Sequence, residues 1–181
     1  MGRLTEGSIV NYKNKSHAVT AEVIVPDSGA EGVIVAVGGN IGGWSLYAKE
    51  GKLKYCYNFF GVHRYTIEGA SKIPSGRHQV RMEFKYDGGG LAKGGTATLY
   101  VDGNKVGEGR VDRTEPMIFS ADETLDLGNE FGSPVTYDYP KAGAKFSGEV
   151  LGVAIDIDKD AIDLDHLITP EERLRVAMAI Q

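Results

Sequence analysis

Apolar and polar residues alternate along most of the chain before residue 158, a pattern that predicts β-strands rather than helices. In His17-Ala-Val-Thr-Ala-Glu-Val-Ile-Val25, the side chains of Val19, Ala21, Val23 and Val25 share one face at a period of two. Pro26 to Gly29 stops that strand, since proline cannot donate to a ladder and glycine supplies the turn. Gly32 to Val37 is apolar on both faces and predicts a buried strand. Glycines between residues 38 and 43 break it, and Trp44 to Ala48 resumes it. Glu50-Gly51 then predicts a hairpin turn into Lys52–Asn58. A long strand is predicted over His78–Tyr86, with Val80, Met82, Phe84 and Tyr86 on one side. Thr96–Val101, Asp102-Gly103 and Asn104–Val111 form the clearest hairpin, because Asp-Gly suits a type I′ turn whose central residues both need positive φ. A final strand is predicted from Phe146 to about Asp158.

Only the tail has a helical pattern. Thr169-Pro170-Glu171-Glu172 supplies a capping hydroxyl, a proline at the first helical position and acidic residues in the first turn. Leu174, Ala177 and Met178 then fall on one side at i, i+3 and i+4, a candidate docking face for a helix too short to stand alone. The predicted fold class is therefore all-β: a two-sheet antiparallel jelly-roll sandwich over residues 1–158 with one short C-terminal helix. Residues 159–181, an acidic connector plus that helix, are assigned to the same domain.

Composition narrows the functional classes. At 181 residues and 41% hydrophobic content the chain fills one domain with a full core, and its 25 glycines fit a fold rich in tight turns. A formal charge of −5 argues against nucleic acid or an anionic membrane as the main partner. The one cysteine, Cys56, excludes an internal disulfide and a cysteine-based zinc cluster, and its mid-strand position predicts a buried, inert thiol. No apolar run is long enough to span a bilayer, and the first residues lack a signal-peptide core, so the expectation is a soluble protein, cytoplasmic if it stands alone.

Most catalytic and metal motifs fail on spacing. His17, His63, His78 and His166 show no ligand spacing, and no G-x-S-x-G elbow is present. Asp156, Asp158 and Asp160 match the opening of a calcium loop, with Asp163 and Asp165 beyond. Ala161, however, replaces the turn glycine and Leu167 the bidentate glutamate, so no metal or other cofactor is expected. Gly38 to Gly43 has no Lys-Ser/Thr and no helix after it, which argues against phosphate cradling. Asn14-Lys-Ser16 is a formal glycosylation sequon. Glu22 and Glu83 are separate singletons rather than a glycoside hydrolase pair. The aromatic residues are the remaining candidates for ligand binding. Tyr47, Tyr65, Tyr137 and Tyr139 are candidate sugar-stacking residues, whereas Trp44 shares a face with Leu46 and is expected in the core.

The runs Asn14–Val23, Gly29–Val33, Gly42–Tyr47, Tyr86–Gly90, Lys93–Gly103, Phe119–Asp126, Gly132–Val135, Phe146–Gly148 and Glu171–Arg175 resemble the C-terminal region of large bacterial arylsulfatases. Leu99-Tyr-Val-Asp-Gly103 and the later Phe-x-Gly also look like the laminin-G and concanavalin-type jelly roll. The arylsulfatase resemblance implies a non-catalytic accessory domain that docks on a sulfatase catalytic domain, shapes substrate access or forms a homo-oligomer. It implies no catalytic residue here. Sulfatases need Cys or Ser in a C/S-x-P-x-R context, and Cys56 is followed by Tyr57, Asn58, Phe59 and Phe60. The alternative reading is a carbohydrate-binding, lectin-like module with a glycan partner. A row of tyrosine and polar residues on one sheet would favour that alternative, and a flat apolar face would favour docking.

Overall fold

The computed structural model describes residues 4–121, 123–140, 144–158 and 168–179. Within them run β1 (Leu4–Thr5), a 3-10 turn (Glu6–Ser8), β2 (His17–Val25), β3 (Gly32–Gly38), β4 (Gly43–Lys49), β5 (Lys52–Phe59) and β6 (His63–Lys72). β7 (Gly76–Tyr86), β8 (Gly95–Val101), β9 (Asn104–Val111), β10 (Thr124–Leu127), β11 (Glu149–Ile157) and α1 (Pro170–Ala179) follow. Two antiparallel sheets form a jelly-roll sandwich, one six-stranded in the order β1-β10-β3-β4-β5-β6 and one five-stranded in the order β11-β2-β7-β8-β9.

The predicted turns hold in detail. Glu50 and Gly51 adopt φ of 55° and 79°, and Asp102 and Gly103 adopt 50° and 76°, the paired left-handed conformations of a type I′ hairpin. β11 begins at Glu149 rather than Phe146. Phe146 and Ser147 instead donate backbone hydrogen bonds to the carbonyls of Gly128 and Glu31, anchoring the chain before the strand starts. Three strands carry no clear alternation signal. β6 is a largely exposed edge strand, and β1 and β10 are two and four residues long.

Between the sheets, Val19, Ala21 and Val23 meet Trp44, Leu46, Leu53, Tyr55, Val80, Met82 and Leu99. Trp44 is fully buried, and its indole N–H donates to the Tyr12 hydroxyl at 2.9 Å, so a ring of this size carries no unpaired donor into the core. A second core explains why β3 is apolar on both faces. Val135, Tyr139 and Ala144, from the segment that crosses the outer face of the six-stranded sheet, pack on Val33, Ala36, Tyr47 and Cys56. One sheet is therefore covered on both sides. Among the described residues, none crosses the outer face of the other.

Candidate functional site

The open face of the five-stranded sheet is built by strand register. One cross-strand row runs Asp156, Ala18, Glu83, Thr98 and Glu108, and the next runs Ala154, Thr20, Arg81, Tyr100 and Lys105. Alternation turns the valines of these strands inward and these polar residues outward. Two alanines interrupt the rows, and the short side chain of Ala18 between Asp156 and Glu83 helps open a cleft of about 560 Å³. Ser16, Arg81, Glu83, Lys85, Asp156 and Asp158 contribute its polar lining.

Arg81 is the organised group in this cleft. Its Nε donates to Glu83 Oε1 at 2.9 Å and its Nη1 to Thr20 Oγ1 at 2.6 Å, with Asp156 Oδ2 at 3.9 Å. These contacts hold the guanidinium plane in place, and among the described residues Nη2 has no hydrogen-bond partner. Burial, then a hydrogen bond to Glu83, holds the Tyr100 phenol above its ordinary value, so it remains a neutral donor at physiological pH. The face thus offers cationic donors, carboxylate acceptors and neutral hydroxyls within one patch. That chemistry suits a polyhydroxylated ligand.

The four tyrosines singled out from the sequence divide. Tyr47 and Tyr139 are buried and cannot offer a ring face to a ligand in this conformation. Their centroids lie 5.2 Å apart, edge to face, beneath the covering segment. Tyr47 donates its hydroxyl to Asp138 Oδ2 at 2.6 Å, and burial raises both phenols well above their ordinary range. Tyr65 is half-buried against the main core, with the His63 ring 4.3 Å away. Tyr137 alone projects outward, 77% exposed. The structure does not gather the four into one row.

The histidines and the carboxylate run sort similarly. His17 lies between the rings of Tyr12 and Phe84 at 4.9 and 5.4 Å, and burial pushes its pKa down to about 4. His78 is on the surface, its Nδ1 2.7 Å from Asp102 Oδ2, and that contact raises its pKa. Asp160, Asp163 and Asp165 lie outside the described residues. Among the described residues no group of three or more His, Cys, Asp or Glu converges as a metal site. No helix among them is long and apolar enough to cross a membrane. On α1 the predicted docking face is not packed away: Leu174 and Met178 are each 64% exposed, and the helix buries none of its residues.

Arg81, Thr20 and Tyr100 were not singled out in the sequence. Their signal was present, since each occupies the polar phase of an alternating strand, but only the pairing register brings them side by side.

No protein-family model matches the chain, and no curated protein matches it in sequence. Solved structures do match in shape. The CBM40 domain of the Ruminococcus gnavus IT-sialidase, bound to α2,3-sialyllactose, superposes with a TM-score of 0.52 at 16% identity, over 84% of this chain and 80% of that one. Domains LG4-5 of the mouse laminin α1 chain superpose with a TM-score of 0.51 at 18% identity, over 86% of this chain and 39% of that one. At these identities the likeness establishes the fold: a laminin-G-like, concanavalin-like jelly roll.

Proposed function

We propose that this chain is a glycan-binding, lectin-like module whose ligand lies on the open face of the five-stranded sheet. The observation that carries the reading is the contrast between the two sheets. One outer face is sealed by the second core, whereas the other is uncovered among the described residues, polar and cut by the cleft around Arg81. The polar row with Tyr100 meets the condition set for a carbohydrate module, and the described residues of that sheet present no flat apolar docking face. The sialyllactose bound to the similarly folded CBM40 domain supports the same class of ligand. Sugar hydroxyls would accept from Nη2 of Arg81 and donate to Glu83, each bond to a charged partner contributing roughly 1.5–3 kcal/mol.

Isothermal titration with neutral and sialylated oligosaccharides tests this reading, together with amide chemical-shift mapping. Binding at micromolar to millimolar Kd is expected, with shifts centred on Ala18, Thr20, Arg81 and Tyr100. Arg81→Ala should weaken it about tenfold or more, the equivalent of about 1.4 kcal/mol. Absence of binding across the panel at millimolar ligand would falsify the proposal.

A second reading, the accessory domain of an arylsulfatase-like hydrolase, is favoured by the exposed Leu174 and Met178 on α1. It rests otherwise on the resemblance of the sequence runs. Here the chain should co-sediment with an arylsulfatase catalytic domain lacking its own C-terminal region, and the pair Leu174→Glu and Met178→Glu should abolish the complex. Independent sedimentation of the unmodified chain removes this reading.

A further inference from the structure

A second feature lies at one end of the six-stranded sheet, where three loops meet. Ser133 Oγ accepts from Asn40 N–H at 2.8 Å, and Gly61 packs so closely on Asn40 that an added Cβ would lie 2.9 Å from the Asn40 carbonyl. Arg64, at the start of β6, joins all three. Its Nε donates to the Val135 carbonyl at 2.9 Å, its Nη2 to Asn40 Oδ1 at 2.8 Å, and its Nη1 to the Gly61 carbonyl at 3.5 Å. The guanidinium carbon sits 4.0 Å from the centroid of the Tyr137 ring. That ring is therefore braced on one side while most of its surface meets solvent.

The charge on Arg64 distinguishes it from the other organised arginines. Arg77 pairs with Glu22, Arg81 with Glu83, and Arg110 with Asp87 through two bonds. Arg64 has only carbonyl, amide and ring neighbours, and no carboxylate lies within ion-pairing distance among the described residues. Its Nη1 contact at 3.5 Å is at the limit of a hydrogen bond, leaving that nitrogen available to a stronger acceptor. An acidic chain of net charge −5 thus holds a rigid, unneutralised cation against one side of an aromatic ring that is otherwise open to solvent.

We propose that Tyr137 and Arg64 form a binding subsite for an anionic saccharide, distinct from the Arg81 cleft. The pyranose ring stacks its C–H face on Tyr137, and a sulfate or carboxylate group of the same sugar accepts from Arg64. A planar guanidinium suits either anion, because its donors are arranged in a fixed fork. Ile41, Val62 and Phe131, on the same three loops, are exposed apolar side chains.

The test is titration of the full chain with matched sulfated, uronate-containing and neutral disaccharides at low and high salt. Shifts are followed at the Arg64 side-chain N–H and the Tyr137 amide. Binding of an anionic disaccharide at least tenfold tighter than the neutral one, and weakened by salt, is expected. Preference between the sulfated and uronate sugars identifies which anion is read, and either supports the subsite. Tyr137→Ala should weaken the binding read at the Arg64 side-chain N–H about tenfold, and Tyr137→Phe should retain it. Because Arg64 also ties the loops together, Arg64→Lys serves as the second variant, retaining charge but losing the fork. Equal affinity for neutral and anionic sugars overturns the proposal. So does unaltered binding by Tyr137→Ala, or shifts confined to Thr20, Arg81 and Tyr100, an outcome that leaves the cleft reading intact.

Discussion

Replacing Glu115 by glutamine is expected to flatten the alkaline side of the stability profile. Glu115 is fully buried, with Oε1 accepting from the Phe60 N–H at 2.7 Å and Oε2 without a hydrogen-bond partner. Burial pushes its pKa up to about 9. The Phe60 hydrogen bond opposes that rise, Glu6 adds to it, and Lys13 opposes it again. The folded protein therefore holds a proton that the unfolded chain releases near 4.5. This contribution is fully present below 4.5 and is lost as pH rises through about 9. Glu130, also buried and pushed up to about 7, acts in the same direction over a shorter window.

His17 works the other way. Its contribution is complete above 6.5 and is lost as pH falls through about 4, so it adds nothing to the slope at alkaline pH. Between pH 7 and 9, one proton held only by the folded state corresponds to roughly 2–3 kcal/mol of stability. Glu115→Gln keeps an acceptor for Phe60 and removes the ionisable proton. Thermal melts of both proteins at pH 7 and pH 9 check this: relative to their difference at pH 7, the variant should gain roughly 2–3 kcal/mol on the parent by pH 9. Parallel profiles for the two proteins would show that Glu115 does not carry the proton.

The second large effect is expected at Gly38, the last residue of β3, paired with Gly43 across the hairpin. Gly38 adopts φ of +81°, and an added Cβ would run into the Gly42 carbonyl oxygen and sit 2.8 Å from the Gly43 Cα. Left-handed backbone costs a residue with a Cβ roughly 1–2 kcal/mol, and forced overpacking adds about 1–3 more. Neither obstacle is a flexible side chain that can swing aside. Gly38→Ala should therefore cost about 3 kcal/mol, which in a chain of this length lowers Tm by roughly 6–12 °C. Because this hairpin positions Asn40, which clamps Arg64, the variant should also blunt binding at Tyr137 under conditions where it remains folded. A melting temperature within about 2 °C of the parent would show that the loop repacks without cost.

Both effects arise where the chain approaches itself closely, and neither position announced itself in the sequence. Glu115 sits in an irregular segment with no periodic signal. Its burial depends on Tyr57, Phe60 and Gly42 closing around it. The glycines at 38 and 43 read correctly as a strand break, but whether glycine was required there depended on the backbone facing them.

Local rules settled much else. Alternation in residues 17–25, 78–86 and 96–101 identified which side chains face the core, because a pleated strand turns successive residues to opposite sides. Glu50-Gly51 and Asp102-Gly103 set two hairpin turns through the conformations those residues tolerate. The fold class and the burial of Trp44 and Cys56 follow from such short-range pattern. Among the described residues, tertiary structure alone decided which sheet is sealed and which is open, since that depends on where residues 128–140 and 144–147 cross. The crossing buried Tyr47 and Tyr139, turned Tyr137 outward, and braced it on Arg64 from a strand more than seventy positions earlier. It was also tertiary register that set Thr20 beside Arg81 and Arg81 beside Tyr100. Periodicity specifies which face a residue occupies. The residue it meets there is determined by pairing between distant segments, and that pairing leaves no trace in the spacing along one chain.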